Sequence, residues 1–127
     1  MAEAKYAIDV QVKTQYLDDQ SDPDDGRHVF SYTITITNAG SVAAQLISRH
    51  WVITDSEGVV QEVRGLGVVG HQPLLKPGET FEYTSWTRLH TPSGSMRGSY
   101  LCVTEDGERF DAPIPEFALL PPGATLH

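Results

Sequence analysis

The sequence predicts an all-β protein, an antiparallel β-sandwich of the immunoglobulin or fibronectin type III kind with about seven or more strands. Two observations support this prediction. Apolar and polar residues alternate along most of the chain, as in strands with one buried face, and a helical period is almost absent. Short breaks rich in Gly, Pro, Asn and Asp separate the alternating runs at close intervals.

The first two strands show this alternation most clearly. One face of the first run, "YAIDVQVKTQYL", carries Ile8, Val10 and Val12. The second run, "HVFSYTITITN", alternates apolar residues with serine and threonine, so one face should be buried and the other polar. Its apolar positions are Phe30, Tyr32, Ile34 and Ile36. Further candidate strands are "AQLISRHWVITD", "VVQEVRG", "ETFEYTSWT", "MRGSYLCVTED" and "ERFDAPIPEFAL".

Turn chemistry marks the ends of these runs. The second strand ends at Asn38-Ala39-Gly40, and hairpin turns are predicted at Ser56-Glu57-Gly58 and Asp106-Gly107, because glycine accepts a positive φ. Pro77-Gly78 suits the two central positions of a type II turn. The last strand contains two prolines, Pro113 and Pro115, which cannot donate ladder hydrogen bonds. It should therefore lie at a sheet edge or contain a bulge.

Composition limits the function classes that suit this chain. Its 127 residues fit one domain, and its net charge of −8 and scattered Lys and Arg argue against a nucleic acid partner. No apolar run approaches the roughly 20 residues of a membrane span, and the N-terminus lacks the features of a signal peptide. We therefore expect a cytoplasmic protein without direct membrane insertion. Cys102 is expected to be a buried structural thiol, and Trp51 and Trp86 to fill the inter-sheet core.

Three glycines, Gly65, Gly67 and Gly70, follow the G-x-G-x-x-G spacing of dinucleotide-binding enzymes. That site needs a helix starting at the third glycine, but Pro73 and then Pro77-Gly78 interrupt any such helix. A weaker alternative is an anion-binding nest of loop amides, near Arg64 and Lys76. The favoured interpretation is structural: the glycines permit a tight connection, a bulge or close packing.

No other motif assembles a reactive site. The acidic run "LDDQSDPDDGRH" departs from the EF-hand register and is expected to be a solvated loop, with weak attraction for divalent ions as the alternative. The five histidines are dispersed without the spacing of a transition-metal site. The segment "GSMRG" is not the G-x-S-x-G elbow of a hydrolase. We therefore predict a protein that is not an enzyme and needs no cofactor or metal.

Several segments resemble the ApaG family, also called the DUF525 domain. They are "YTITITN", "RHWVITDSEG", "GLGVVGHQPLLKPGETFEYTS", "TPSGSMRGSY" and "IPEFAL", so the resemblance extends from about Tyr6 to Leu119. It implies a fibronectin type III-like sandwich. We predict a single domain over residues 1–127, with a core at about 6–119 and a short flexible C-terminal tail.

The resemblance implies function only in outline. Bacterial members are associated genetically with cobalt resistance and magnesium efflux, and in eukaryotes the domain is fused to an F-box protein and to a polymerase δ-interacting protein, which implies protein binding. We therefore predict a binding module for another protein. Its candidate contacts are the apolar residues Val68, Val69 and Met96, which are expected to be exposed, together with His71. The alternative is a sensor that binds a divalent cation or a nucleotide polyphosphate at the glycine loop.

Overall fold

The computed structural model describes residues 5–122, so the last five residues of the predicted C-terminal tail lie outside the described part. Eight strands and two short 3-10 turns make up its regular structure, which confirms the all-β prediction. The 3-10 turns are Asp18–Gln20 and Pro23–Asp25. The strands are β1 Ile8–Tyr16, β2 His28–Asn38, β3 Ala44–Asp55, β4 Val60–Leu66, β5 Leu74–Leu75, β6 Thr80–Leu89, β7 Gly94–Thr104 and β8 Arg109–Leu119.

The strands form two antiparallel sheets that pack as a sandwich. One sheet has three strands in the order β1-β2-β6. The other has five, in the order β4-β3-β7-β8, with the two-residue β5 also paired to β3. Strand β8 is an edge strand, and its register with β7 shifts between Met96 and Gly98. This confirms the prediction that the prolines of "DAPIPEF" require an edge or a bulge.

The core lies between the sheets and follows the alternation of the sequence. Strand β2 buries Phe30, Ile34 and Ile36, while its serine and threonine positions stay partly exposed. The facing sheet contributes Trp51 and Tyr100 among other buried side chains. Each fully buried side chain of this size contributes roughly 1.5–3 kcal/mol to folding. Cys102 is buried as predicted, and burial raises the pKa of its thiol to about 11.

The two tryptophans differ from the prediction. Trp51 is buried and packs edge-on against the ring of Tyr32, as expected. The prediction for Trp86 is wrong, because this side chain is 66% exposed. The reason is the phase of β6: Tyr83, Thr87 and Leu89 point into the core, so residue 86 lies on the opposite face.

The predicted turns are present. Gly58, Gly78 and Gly107 all have positive φ angles, between 84° and 87°. The amide of Glu79 donates to the carbonyl of Lys76 at 2.9 Å, which closes the turn around Pro77-Gly78. Next to it, the buried Asn38 side chain donates to the carbonyls of Val42 and Leu75 at 2.9 and 2.8 Å, and so ties the end of β2 to β5.

The two flanks of the sandwich are built differently. At the flank formed by β1 and β8, the rings of Tyr6 and Phe110 stack at 5.5 Å and Lys5 forms an ion pair with Asp106 at 2.8 Å. At the opposite flank, β4 and β6 are the edge strands, and neither pairs with a further described strand. None of the described residues belongs to a helix of the length and apolarity that crossing a membrane would need.

Candidate functional site

The glycine motif begins at Gly65 near the end of β4 and continues into a loop that leaves and rejoins one edge of β3. Leu66, the last residue of β4, pairs with Ser48, and Leu74, the first residue of β5, pairs with Gln45. Residues 67–73 therefore project from the sheet while both of their ends are fixed to the same strand. We call these seven residues the glycine loop.

The tip of the glycine loop is a two-residue turn. Val68 and His71 exchange two backbone hydrogen bonds of 2.8 and 2.9 Å, which leaves Val69 and Gly70 at the central positions. Their φ angles are 43° and 84°, both positive as in a type I′ turn. Asn, Asp or Gly is usual at such positions, because positive φ is strained for a β-branched residue. Val69 is the only described non-glycine residue with a positive φ.

Neighbouring atoms leave little room for a side chain at the first two glycines of the motif. A Cβ atom on Gly65 would lie 2.8 Å from Nη2 of Arg49, whose side chain crosses the strand at that point. Gly67 has a φ of 64°, and a Cβ atom there would lie 2.5 Å from the carbonyl oxygen of His71. The structural interpretation of the motif thus has its geometric basis at Gly67, where the neighbour is backbone, whereas at Gly65 the neighbour is the flexible end of the Arg49 side chain.

Half of the backbone amides of the glycine loop, those of Gly67, Val68 and His71, donate to carbonyls within the protein. The amide of Gly67 donates to the carbonyl of Ile47 at 2.8 Å, and those of Val68 and His71 donate to each other's carbonyls. Arg49 Nη1 donates to the carbonyls of Leu66 and Gly67 at 3.0 and 2.8 Å. An anion-binding nest needs converging amides without such partners, and a helix starting at Gly70 is not found within residues 5–122.

Two of the four predicted contact residues are misplaced. Val68 and Met96 are fully buried, so the expectation that they are exposed is wrong. Val68 packs into the core because its pairing with His71 folds the loop back, and Met96 lies on the inner face of β7. Val69, at 50% exposure, and His71 do lie on the surface.

Two exposed leucines beside the loop were not predicted from the sequence as contact residues. Leu66 is 76% exposed and Leu74 is 57% exposed. The two residues of β5 are too few for a periodic signal that would have identified Leu74 as the exposed one of the pair. We call the exposed side chains of Leu66, Val69 and Leu74 the apolar loop surface. Leu66 also borders a depression of about 530 Å³, which includes His50 and Arg64 among its lining residues.

A second concavity opens at the flank between β4 and β6. This lateral cleft has a volume of about 640 Å³, and Arg49, Trp51 and Arg88 are among its lining residues. The core next to it holds two tyrosines, Tyr83 and Tyr100, whose hydroxyl groups share a hydrogen bond of 2.5 Å. Burial raises the pKa of both, and the positive charge of Arg49 opposes that shift.

The acidic segment between β1 and β2 folds as two 3-10 turns with mostly exposed side chains, as expected for a solvated loop. The hydroxyl of Ser21 holds it in place: it donates to the carbonyl of Leu17 at 2.7 Å and accepts from the amide of Val29 at 2.9 Å. Among residues 5–122, no three His, Cys, Asp or Glu side chains are grouped closely enough to hold a metal ion.

Comparisons with known proteins agree with the fold. A family model described as the ApaG domain (DUF525) matches residues 18–104. Protein ApaG of Ralstonia nicotianae is 65% identical over 124 residues, 98% of this chain and 99% of that protein. Protein ApaG of Nitrosospira multiformis is 67% identical over 128 residues, with 100% of both chains covered. A crystal structure of the Bordetella pertussis protein called ApaA has a TM-score of 0.94 and 58% identity, covering 97% of this chain and 100% of that one. The chain therefore belongs to the ApaG domain family.

Proposed function

We propose that the protein is a non-catalytic binding module that binds a partner protein through the apolar loop surface. The observation that carries this proposal is the exposure of three large apolar side chains at 50–76%: Val69 in the glycine loop, and Leu66 and Leu74 in the strands at its two ends. Large apolar residues grouped at one site are typical of protein interaction surfaces. A partner with a complementary apolar surface would remove these side chains from water.

The backbone of Val69 supports the same proposal. The positive φ of a β-branched residue lowers the folding stability by roughly 1–3 kcal/mol, and Asn or Gly at position 69 would avoid most of that loss. The valine side chain contributes little to the core, because half of it is exposed. Its apolar surface is therefore better explained by a contact outside the chain than by folding stability. Strained positions of this kind are frequent at functional sites.

The chemistry of the loop supports binding rather than catalysis. The side chains of the apolar loop surface are hydrocarbon, and the amides of Gly67, Val68 and His71 already have backbone partners. The single thiol, Cys102, is buried and its pKa is raised to about 11, so it carries little thiolate at neutral pH. Contacts of Leu and Val at an interface core derive their strength from apolar burial, roughly 25 cal/mol per Å².

The test begins with a photo-crosslinking amino acid at position 69 of the full chain, and at position 60 as the control. Val60 is 58% exposed, similar to Val69, but lies in β4 away from the loop. Crosslinking in bacterial cells should yield a partner protein from position 69 and not from position 60. Equal products at both positions, or none at position 69, would rule out this surface.

The crosslinked protein is then purified and its affinity measured by calorimetry. Val69→Asn should weaken binding at least tenfold, because it removes apolar contact area while suiting the turn. Val60→Asn should leave the affinity within about twofold. An unchanged affinity for Val69→Asn would show that the crosslink reports proximity without contact energy.

A further inference from the structure

The lateral cleft is bordered by an unprotected strand edge. Strand β6 pairs with β2 without a register shift from Thr80 to Leu89, and it contains no proline. By contrast, β8 carries two prolines and a bulge, and β1 packs against β8 at the closed flank. A long regular edge without such protection is a template for an added strand.

The hydrogen-bond pattern identifies which residues of β6 face this edge. The amide of Asn38 donates to the carbonyl of Glu79 at 3.0 Å, so residue 79 and the odd-numbered residues that follow it point towards β2. The even-numbered residues Thr84, Trp86 and Arg88 therefore direct their backbone N–H and C=O groups away from β2. An extended peptide at this edge would find three consecutive sites for ladder hydrogen bonds.

The side chains of the cleft favour an acceptor-rich ligand. Arg49 and Arg88 line the cleft, and neither forms an ion pair with a described residue. Nη1 of Arg49 donates to the carbonyls of Leu66 and Gly67, so the remaining nitrogens of its guanidinium are the ones open to a ligand. The buried Nε1 of Trp51, on the same wall, has no hydrogen-bond partner among the described residues. Arginine and tryptophan side chains are donors only, so a carboxylate satisfies what they offer.

Asp55 also lines the cleft, but it forms no ion pair with Arg49 or Arg88. Asp55 accepts hydrogen bonds from the amides of Glu57 and Val59 at 2.9 and 3.0 Å within its own hairpin. Arg49 and Arg88 both line the cleft, Arg88 from the exposed face of β6, in a chain whose net charge is −8. An acidic ligand is attracted locally, although the protein as a whole is negative.

We propose that the lateral cleft binds an extended peptide segment that adds as a strand to the free edge of β6 and carries an Asp or Glu side chain into the cleft. The strand supplies backbone hydrogen bonds, and the carboxylate supplies specificity through Arg49 and Arg88. This site is separate from the apolar loop surface, and its test does not depend on the partner that binds there.

The probe is a phage-displayed library of random decapeptides, selected on the full chain. Enriched peptides should share an Asp or Glu, and a synthetic copy should shift the amide NMR signals of residues 84–88. Its Glu→Gln or Asp→Asn version should bind at least tenfold more weakly. No enrichment, enriched peptides without an acidic residue, or shifts confined to other strands would overturn the proposal.

Two matched pairs of variants test the contacts. Arg88→Gln should weaken the peptide at least tenfold, whereas Arg97→Gln, at an exposed position of β7, should have no effect. Trp86→Thr keeps the edge amide and Trp86→Pro removes it without breaking the ladder to β2. The proline variant should bind at least tenfold more weakly than the threonine variant, with both checked for folding by NMR.

The outcomes of these pairs separate strand addition from other anion binding. Equal affinity of the two residue-86 variants would exclude strand addition. If inorganic phosphate at millimolar concentration produces the same NMR shifts and displaces the acidic peptide, the cleft is a general anion site and the proposal is wrong. Val69→Asn should leave peptide binding unchanged.

Discussion

At the residue scale, the φ of 43° at Val69 leads to a prediction about stability. Val69→Asn should raise the free energy of unfolding by about 1 kcal/mol, because asparagine tolerates positive φ better than a β-branched residue. Urea unfolding followed by circular dichroism measures the change. Val69→Thr keeps the branched Cβ and should give no comparable gain. A gain for threonine equal to that for asparagine would show that side-chain polarity, and not backbone strain, sets the difference.

Single residues also show where sequence reasoning stops. The absence of a helix after the glycines could be predicted from Pro73 and Pro77, but the close approach of the His71 carbonyl to Gly67 could not, because it depends on how the loop folds back. Val68 is apolar and sits in a loop, which suggested exposure. Its burial follows from the backbone pairing with His71, and no local pattern in the sequence records that pairing.

At the element scale, the face of β6 that Trp86 occupies predicts a fluorescence difference. Trp86 is 66% exposed and Trp51 is buried, so iodide should quench about half of the tryptophans and leave the rest protected. Trp86→Phe should remove the quenchable component, while Trp51→Phe should keep it. Uniform protection of both tryptophans in the wild-type protein would place residue 86 in a buried site.

The strands were largely predictable because alternation is a local signal. In β2 and β6 apolar and polar residues alternate along the strand. In β6, Phe81 and Tyr83 put the odd-numbered positions on the inner face, so residue 86 is expected on the outer face. The prediction for Trp86 was wrong because it followed the usual burial of tryptophan and not the position of residue 86 in the alternation of β6. Strand β5 has only two residues, too few for a periodic signal, and it forms because the loop returns to the edge of β3.

At the scale of the whole molecule, one buried thiol and two buried tyrosine hydroxyls predict that the protein loses stability at alkaline pH. Burial raises the pKa of the Cys102 thiol from its ordinary value of 9.0 to about 11, and it also raises the pKa of the Tyr83 and Tyr100 hydroxyls above 10.0. Above these ordinary values the unfolded chain releases protons that the folded protein retains. The free energy of unfolding is therefore highest below pH 9 and falls as the pH rises towards 11.

Urea unfolding at a series of pH values tests this prediction, with Cys102→Ala as the comparison. In the variant the decline should begin nearer pH 10, the ordinary value for tyrosine, because the thiol no longer contributes. A wild-type stability that stays constant from pH 8 to pH 11 would contradict the burial of these groups.

The fixed ends of the glycine loop affect how this fold could diversify. Because Leu66 and Leu74 are both held by pairing with β3, the residues between them could change in length or composition without altering the register of any long strand. Related proteins could therefore acquire different partners by replacing this short segment while inheriting the sandwich intact. The same property makes the loop a suitable insertion point for a foreign recognition sequence.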